Sequence, residues 1–200
     1  MKTKILAAMA GAYVLFAFYN YRNQSPLDSS NSTLTNILGA FGMNNLTTSQ
    51  AGLNAIAERE GTSYTVYRDT AGYLTAGIGH KLRPGDGIFS VGDTVAPATI
   101  DKWFASDISH AENIVSRYTV QPLSQNEFDA LVSAAFNLGD ALFRNADGSQ
   151  THFSAALDAG NYSGAADYLL SFDHVRVNGA LVVDNGLSAR RQSEQQQFLA

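Results

Sequence analysis

The sequence contains no cysteine, and only four prolines, three methionines and one tryptophan among 200 residues. Without cysteine there can be no disulfide, no thiolate zinc site and no sulfur nucleophile, so any chemistry rests on oxygen and nitrogen groups. The same absence leaves the redox compartment open. Charge is also sparse, at 16% of residues against 45% hydrophobic. That composition describes a globular protein and excludes a disordered chain, a coiled coil or a polytopic membrane protein. Basic residues are scarcest. Residues 49–200 hold 10 Lys and Arg against 17 Asp and Glu, a net charge of −7, and Arg190–Arg191 is the one adjacent basic pair there. A binder that tracks phosphates needs a basic face, so no nucleic-acid partner is expected. No internal repeat is present, and the length suits one domain of about 150 residues with an appendage.

There is one long hydrophobic run. Lys2 and Lys4 precede an apolar stretch over residues 5–21, a length of 17 residues at the lower limit for a membrane span. Five alanines and Gly11 make it weakly hydrophobic. The bulky Phe18-Tyr19-Asn20-Tyr21-Arg22 that ends it offers no small-x-small processing site, which favours an uncleaved anchor over a removed signal. Basic residues concentrate before the run, so the positive-inside rule places the body outside the cytoplasm. A buried N-terminal helix of a soluble domain would show a polar stripe, and residues 5–19 have none. Residues 22–48, rich in Asn, Ser and Thr, form a polar tether with a short apolar patch from Ile37 to Met43. Residues 1–21 are thus expected to be a helical anchor, and 49–200 the folded domain.

Within that domain, Thr47 and Gln50 fit a capping box, and Leu53, Ile56, Ala57 and Glu60 follow at i, i+3, i+4 and i+7, with Gly61 as C-cap. Tyr64–Arg68 and Tyr73–Ile78 have strand character around Asp69-Thr70-Ala71-Gly72, which predicts a hairpin. A glycine-rich exit through Gly77, Gly79 and Gly85 leads to a helix over 98–118. Ser124 and Glu127 form another capping box, before the stripe Phe128, Leu131, Val132 and Ala135. Further helices fit at 152–158, 163–172 and 188–199. The expected fold class is α+β, mostly helical with one small antiparallel sheet.

Glu60 is the most informative residue, because an acid that continues a core-facing stripe must be paired, protonated or used. The helix C-terminus and partial burial both disfavour its ionised form, which suits a general acid. The plainer alternative is a structural partner of Arg190 or Arg191. Asp69 reads by itself as a turn residue, yet it follows Glu60 by nine positions, enough for the chain to fold back and bring both carboxyls to one cleft. Thr75, six residues on, is by itself an ordinary strand residue. His80 lacks acids spaced for a metal and reads as structural. His110, His152 and His174 form no ligand pattern.

Taken together, Glu60-Gly61, Tyr67-Arg68-Asp69-Thr70, Gly72-Tyr73, Thr75 and Gly77-Ile78-Gly79-His80 resemble the active-site segment of the phage-type lysozymes, glycoside hydrolase family 24. The resemblance continues through Leu123–Leu131, Phe136-Asn137-Leu138-Gly139, Gly186-Leu187, Arg190-Arg191 and Glu194. In that family an acid, eight residues, an Asp, five residues and a Thr form the catalytic trio, which falls here on Glu60, Asp69 and Thr75. The resemblance implies a lysozyme-like fold, with a small lobe holding the hairpin and a larger helical lobe. It also implies a peptidoglycan glycan strand as substrate in the cleft between them, cut by a muramidase without cofactor or metal, acting as a monomer. Tyr73, His80, Phe136 and Asn137 are then candidate substrate-binding residues. Phe172 departs from the tryptophan of many relatives, and Arg83–Asp93 is longer and richer in glycine than usual. With the N-terminal run, the whole resembles a signal-anchor-release endolysin, or else a permanently anchored virion or prophage lysozyme. A lytic transglycosylase would need only the acid, and an inactive wall-binding or virion protein could lose any of the trio; all three residues are present.

Overall fold

The computed structural model describes residues 46–200. The anchor read at 5–21 and residues 22–45 of the tether lie outside the described residues. Among the described residues, no helix is long and apolar enough to cross a membrane.

Helix α1 (Gln50–Glu60) is capped by Ser49, whose hydroxyl accepts from the Gly52 N–H at 3.1 Å. The cap expected at Thr47 therefore falls two residues later. Tertiary carboxylates decide its position. Asp129 accepts the Ser49 N–H at 3.0 Å and its hydroxyl at 2.5 Å. Glu112 accepts the Thr48 N–H and hydroxyl at 2.7 and 2.8 Å. Gly52 is required by this close approach, since a Cβ there would stand 2.8 Å from the Asp129 carboxyl carbon. Clamped at its start, the helix runs about 16 Å and delivers Glu60 at its far end.

Strands β1 (Ser63–Arg68), β2 (Leu74–Gly77) and β3 (His80–Lys81) form an antiparallel sheet in that order. The predicted hairpin is present, and the glycine-rich exit contains a third strand the pattern did not reveal. Gly77 and Gly79, at φ 63° and 69°, turn the chain back sharply between β2 and β3. Val66, Ala76 and Ile78 pack from this sheet onto Val95, Ile100 and Trp103.

Helix α2 (Pro97–Tyr118) joins the lobes. Ile100 and Trp103 near its start belong to the small core, while Ile108, Ala111, Ile114 and Val115 belong to the larger one. Helix α3 (Gln125–Leu138) opens with the expected capping box, Ser124 and Glu127 exchanging bonds of 3.2 and 2.6 Å. Every residue from Phe128 to Ala135 is buried, so α3 is the axis of the helical lobe. Helices α4 (His152–Asp158), α5 (Tyr162–Leu169) and α6 (Asn185–Phe198) complete it.

The expectation of a single sheet is corrected by a second hairpin, β4 (His174–Val177) with β5 (Ala180–Val183). Asn178 and Gly179, at φ 50° and 86°, make its turn. Asn-Gly between the apolar-rich stretches Val175–Val177 and Ala180–Val183 is a strong hairpin signal, and it was readable in the sequence.

Candidate active site

Glu60 ends α1, and the Gly61 N–H closes the helix on the Ala57 carbonyl. Its Oε1 accepts from Arg190 Nη1 at 2.5 Å, so the structure pairs the acid, as the plainer sequence reading had it, while also placing it on a cleft. Arg190 is fixed in turn: Nε donates to Glu194 Oε1 at 3.1 Å and Nη2 to the Ser133 carbonyl at 3.1 Å. The Ser133 hydroxyl donates to Glu194 Oε1 at 2.6 Å and accepts from Arg59 at 3.0 Å. Behind it, Arg191 and Glu194 are both fully buried. Arg191 Nε lies 3.1 Å from Glu194 Oε2 without the alignment of a hydrogen bond, and Arg191 Nη2 donates to Asn137 Oδ1 at 2.9 Å. Burial pushes the Arg191 guanidinium below its ordinary range, Glu194 opposes that, and the nearby Arg190 and Arg59 add to it.

Across from this network stands Gly79. A Cβ there would meet Glu60 Oε2 at 3.4 Å, so the bare backbone of the β2–β3 turn faces the second carboxyl oxygen. Between the walls lies a cleft of about 330 Å³, lined by Glu60, Lys81, Arg83, Asp107, Phe136 and Asn137 among others. Of the residues predicted from sequence, this cleft brings together Glu60, Phe136 and Asn137. Asp69, Thr75 and Tyr73 sit on the adjoining hairpin, outside the set that lines it.

Asp69 behaves as its turn chemistry predicts. Its Oδ1 accepts the Ala71 and Tyr73 N–H groups at 2.9 and 2.8 Å, which leaves Oδ2 outside these bonds. Thr75, on β2, is buried and donates to the Tyr73 carbonyl at 3.3 Å. Tyr73 is exposed beneath Lys81, whose Nζ lies 4.9 Å from the ring centroid. His80 is buried and stacked on Trp103 at 4.7 Å, with Nδ1 2.6 Å from Asp107 and Nε2 3.2 Å from Asp86. It braces the wall rather than lining it. Lys81, Arg83 and Asp107 were missed as cleft residues; the alternation of β3 put Lys81 opposite the buried His80, whereas nothing local marks Asp107, 27 residues from its histidine partner.

The family described as Phage lysozyme matches residues 57–194, more than half the sequence. The chain belongs to the phage lysozyme family. That membership carries the broad activity of a glycoside hydrolase acting on peptidoglycan. An endolysin of Acyrthosiphon pisum secondary endosymbiont phage 1 is 29% identical over 75% of this chain and 96% of that relative. A SAR-endolysin of Pseudomonas phage phiKMV is 30% identical over 74% of this chain and 86% of its own length. Among solved structures, an endolysin from Escherichia coli O157:H7 phage FAHEc1 superposes with a TM-score of 0.69 at 30% identity, covering 78% of this chain and 96% of that one. The lysozyme-like α+β fold expected from the sequence is therefore the observed one.

Proposed function

We propose that this phage lysozyme is a muramidase that hydrolyses the β-1,4 bond between N-acetylmuramic acid and N-acetylglucosamine by single displacement. The observation that carries the reading is Glu60, held in the lining of the cleft by a helix clamped at its other end. Arg190 occupies Oε1, so the proton for the glycosidic oxygen belongs on Oε2, the oxygen that faces Gly79. Positioned acids of this kind contribute rate factors of ~100 or more. On the hairpin, two backbone amides hold Oδ1 of Asp69, so Oδ2 is the atom that takes a proton from the attacking water. Thr75 helps to orient that water once its hydroxyl turns from the Tyr73 carbonyl. Attack from the face opposite the leaving group inverts the anomeric centre, a route that needs roughly 6.5–9.5 Å between the two carboxyls.

The layout proposed with it is an anchor at 1–21, a tether at 22–48 and a catalytic domain from 49, the anchor holding the enzyme on the outer side of the inner membrane. Likeness to a SAR-endolysin supports an exported, membrane-held form. Digestion of purified sacculi tests the reaction. Reducing N-acetylmuramic acid ends, first released as the α anomer, are expected, and Glu60→Gln should lower the rate about 100-fold or more with unchanged thermal melting. Anhydro-muramic ends would move the protein to the transglycosylases, and near-wild-type turnover in Glu60→Gln would remove the acid from its role.

A further inference from the structure

The β4–β5 hairpin stands apart from both cores. None of Val175, Val177, Leu181, Val182 and Val183 belongs to either hydrophobic cluster, and Val177, Leu181, Val182 and Val183 are 48%, 64%, 45% and 51% exposed. The two strands pair with each other and with no third strand, His174 opposite Val183 and Val177 opposite Ala180. A lone two-stranded hairpin is marginal in water, and a contiguous exposed apolar patch marks a surface of interaction. We propose that this hairpin seats on a lipid surface and gives the domain a membrane contact of its own, separate from the anchor. This rests on the anchored layout proposed above for residues 1–21.

Three observations select lipid over another occupant. The first is charge. Between Asp173 and Asp184 the chain has no acid, and Arg176 is the one Lys or Arg there, in a domain with 10 basic and 17 acidic residues over 49–200. An anionic bilayer therefore disfavours most of this acidic surface and favours the hairpin. His174 is neutralised by Asp173, 2.6 Å away, while Arg176 commits Nη1 to the Gly179 carbonyl at 3.0 Å and keeps its other donors for headgroup phosphates. The second is the kind of side chain. Protein interfaces draw most of their energy from Trp, Tyr and Arg set in pockets, and the hairpin has no aromatic residue. A stable dimer buries roughly 800 Å² per partner, more than four aliphatic side chains supply. Short aliphatic groups suit the acyl boundary, which demands no matching shape. The third is confinement. The tether proposed at 22–48 reaches about 95 Å even when fully extended, so the anchor keeps the domain near the bilayer and a weak contact becomes intramolecular. The outer strand edges carry unpaired N–H and C=O groups, which fixes the hairpin at the headgroup boundary rather than in the hydrocarbon.

The chain has no cysteine, so Leu181→Cys takes a single fluorophore in the full chain. The labelled chain is mixed with phosphatidylethanolamine–phosphatidylglycerol vesicles whose acyl chains carry a nitroxide near the headgroup. Lys102→Cys, at an exposed position on α2, is the control. The label at 181 should be quenched and the label at 102 much less so. With Val177→Thr and Val182→Thr added, which keep the β-branched shape and lose apolar surface, the bound-to-free ratio at 181 should fall about tenfold. Thermal melting should not change, since neither valine is in a core. Raised salt should weaken the quenching in wild type. Sedimentation of the vesicles separates this contact from the anchor. A chain that pellets while its label at 181 is quenched no more than that at 102 overturns the inference and leaves the anchor standing. A label at 181 shielded from water but not quenched by the nitroxide, as pairing with a second copy would give, does the same. A chain that stays in the supernatant overturns both.

Discussion

Two charged networks face each other across the cleft, and they are built differently. On the helical side, Arg190, Arg191, Glu194 and Glu60 form a group whose centre is closed to water, with Arg191 and Glu194 fully buried. On the sheet side, His80 is buried, but its partners Asp86 and Asp107 are 18% and 11% exposed and Arg83 is 57% exposed. Buried charges attract strongly and cost much desolvation, so such a group holds one geometry and tolerates no missing member. Charges at a rim are screened and cheap to rearrange. The Arg191–Glu194 pair that braces the acid from behind is accordingly dry, while Glu60 and Arg190, 20% and 11% exposed, open onto the cleft much as the sheet-side acids do.

The comparison is tested most severely at its driest point. Glu194→Gln removes the negative charge that faces both Arg190 and Arg191, and Arg191 has no route to solvent. Breaking a buried pair from one side costs about 3–5 kcal/mol. Thermal and urea denaturation should register that loss. A variant within about 1 kcal/mol of wild type would show that the network is wetter than its burial suggests.

Ser133 is a smaller break in the same network. Its hydroxyl donates to Glu194 at 2.6 Å and accepts from Arg59 at 3.0 Å, so Ser133→Ala strands part of two charged groups at once. A loss of about 1–3 kcal/mol in urea denaturation is expected, the cost of leaving buried polar atoms unsatisfied. The carbonyl bond to Arg190 survives the substitution, which is why the effect stays below that of Glu194→Gln.

These networks also mark the limit of what the sequence could tell. The capping box at Ser124 and the helices near 98–118 and 152–158 were legible because their signals are local. So was the hairpin turn at Asp69, whose side chain bonds amides two and four residues on. The spacing of Glu60, Asp69 and Thr75 was legible through resemblance. Arg190 lies 130 residues from Glu60 and Asp107 27 residues from His80, and no periodicity joins such pairs. Where local and tertiary signals competed, the tertiary one prevailed: a box at Thr47 gave way to Ser49 because Asp129 and Glu112 pull the chain there. The β4–β5 hairpin is a different miss. Val177, Leu181, Val182 and Val183 are exposed; β5 (Ala-Leu-Val-Val) lacks the apolar-polar alternation of a half-buried strand, whereas β4 (His-Val-Arg-Val) alternates over only four residues, although the Asn178-Gly179 turn was in view.

The smallest effect belongs to the wet side and concerns Asp86. Burial works against its charged form, yet the Arg83 N–H and His80 overcome that and hold its carboxyl below the usual carboxylate range. A carboxyl lowered on folding contributes stability at every pH above its unfolded value, and that contribution is lost as the pH falls through the folded value. Asp86→Asn should therefore lower stability near neutral pH by no more than about 1 kcal/mol, as for other partly exposed pairs. The gap from wild type should close below the usual carboxylate range, where the wild-type carboxyl is protonated too. The helical side gives the contrasting outcome, since Ser133→Ala removes no titrating group and should stay destabilised by about the same amount from neutral to mildly acidic pH. Denaturation of the three proteins across that pH range reads both patterns at once. An Asp86→Asn gap that persists undiminished in acid, or one as large as that of Ser133→Ala at neutral pH, would mean that the sheet-side network is as dry as the one it faces.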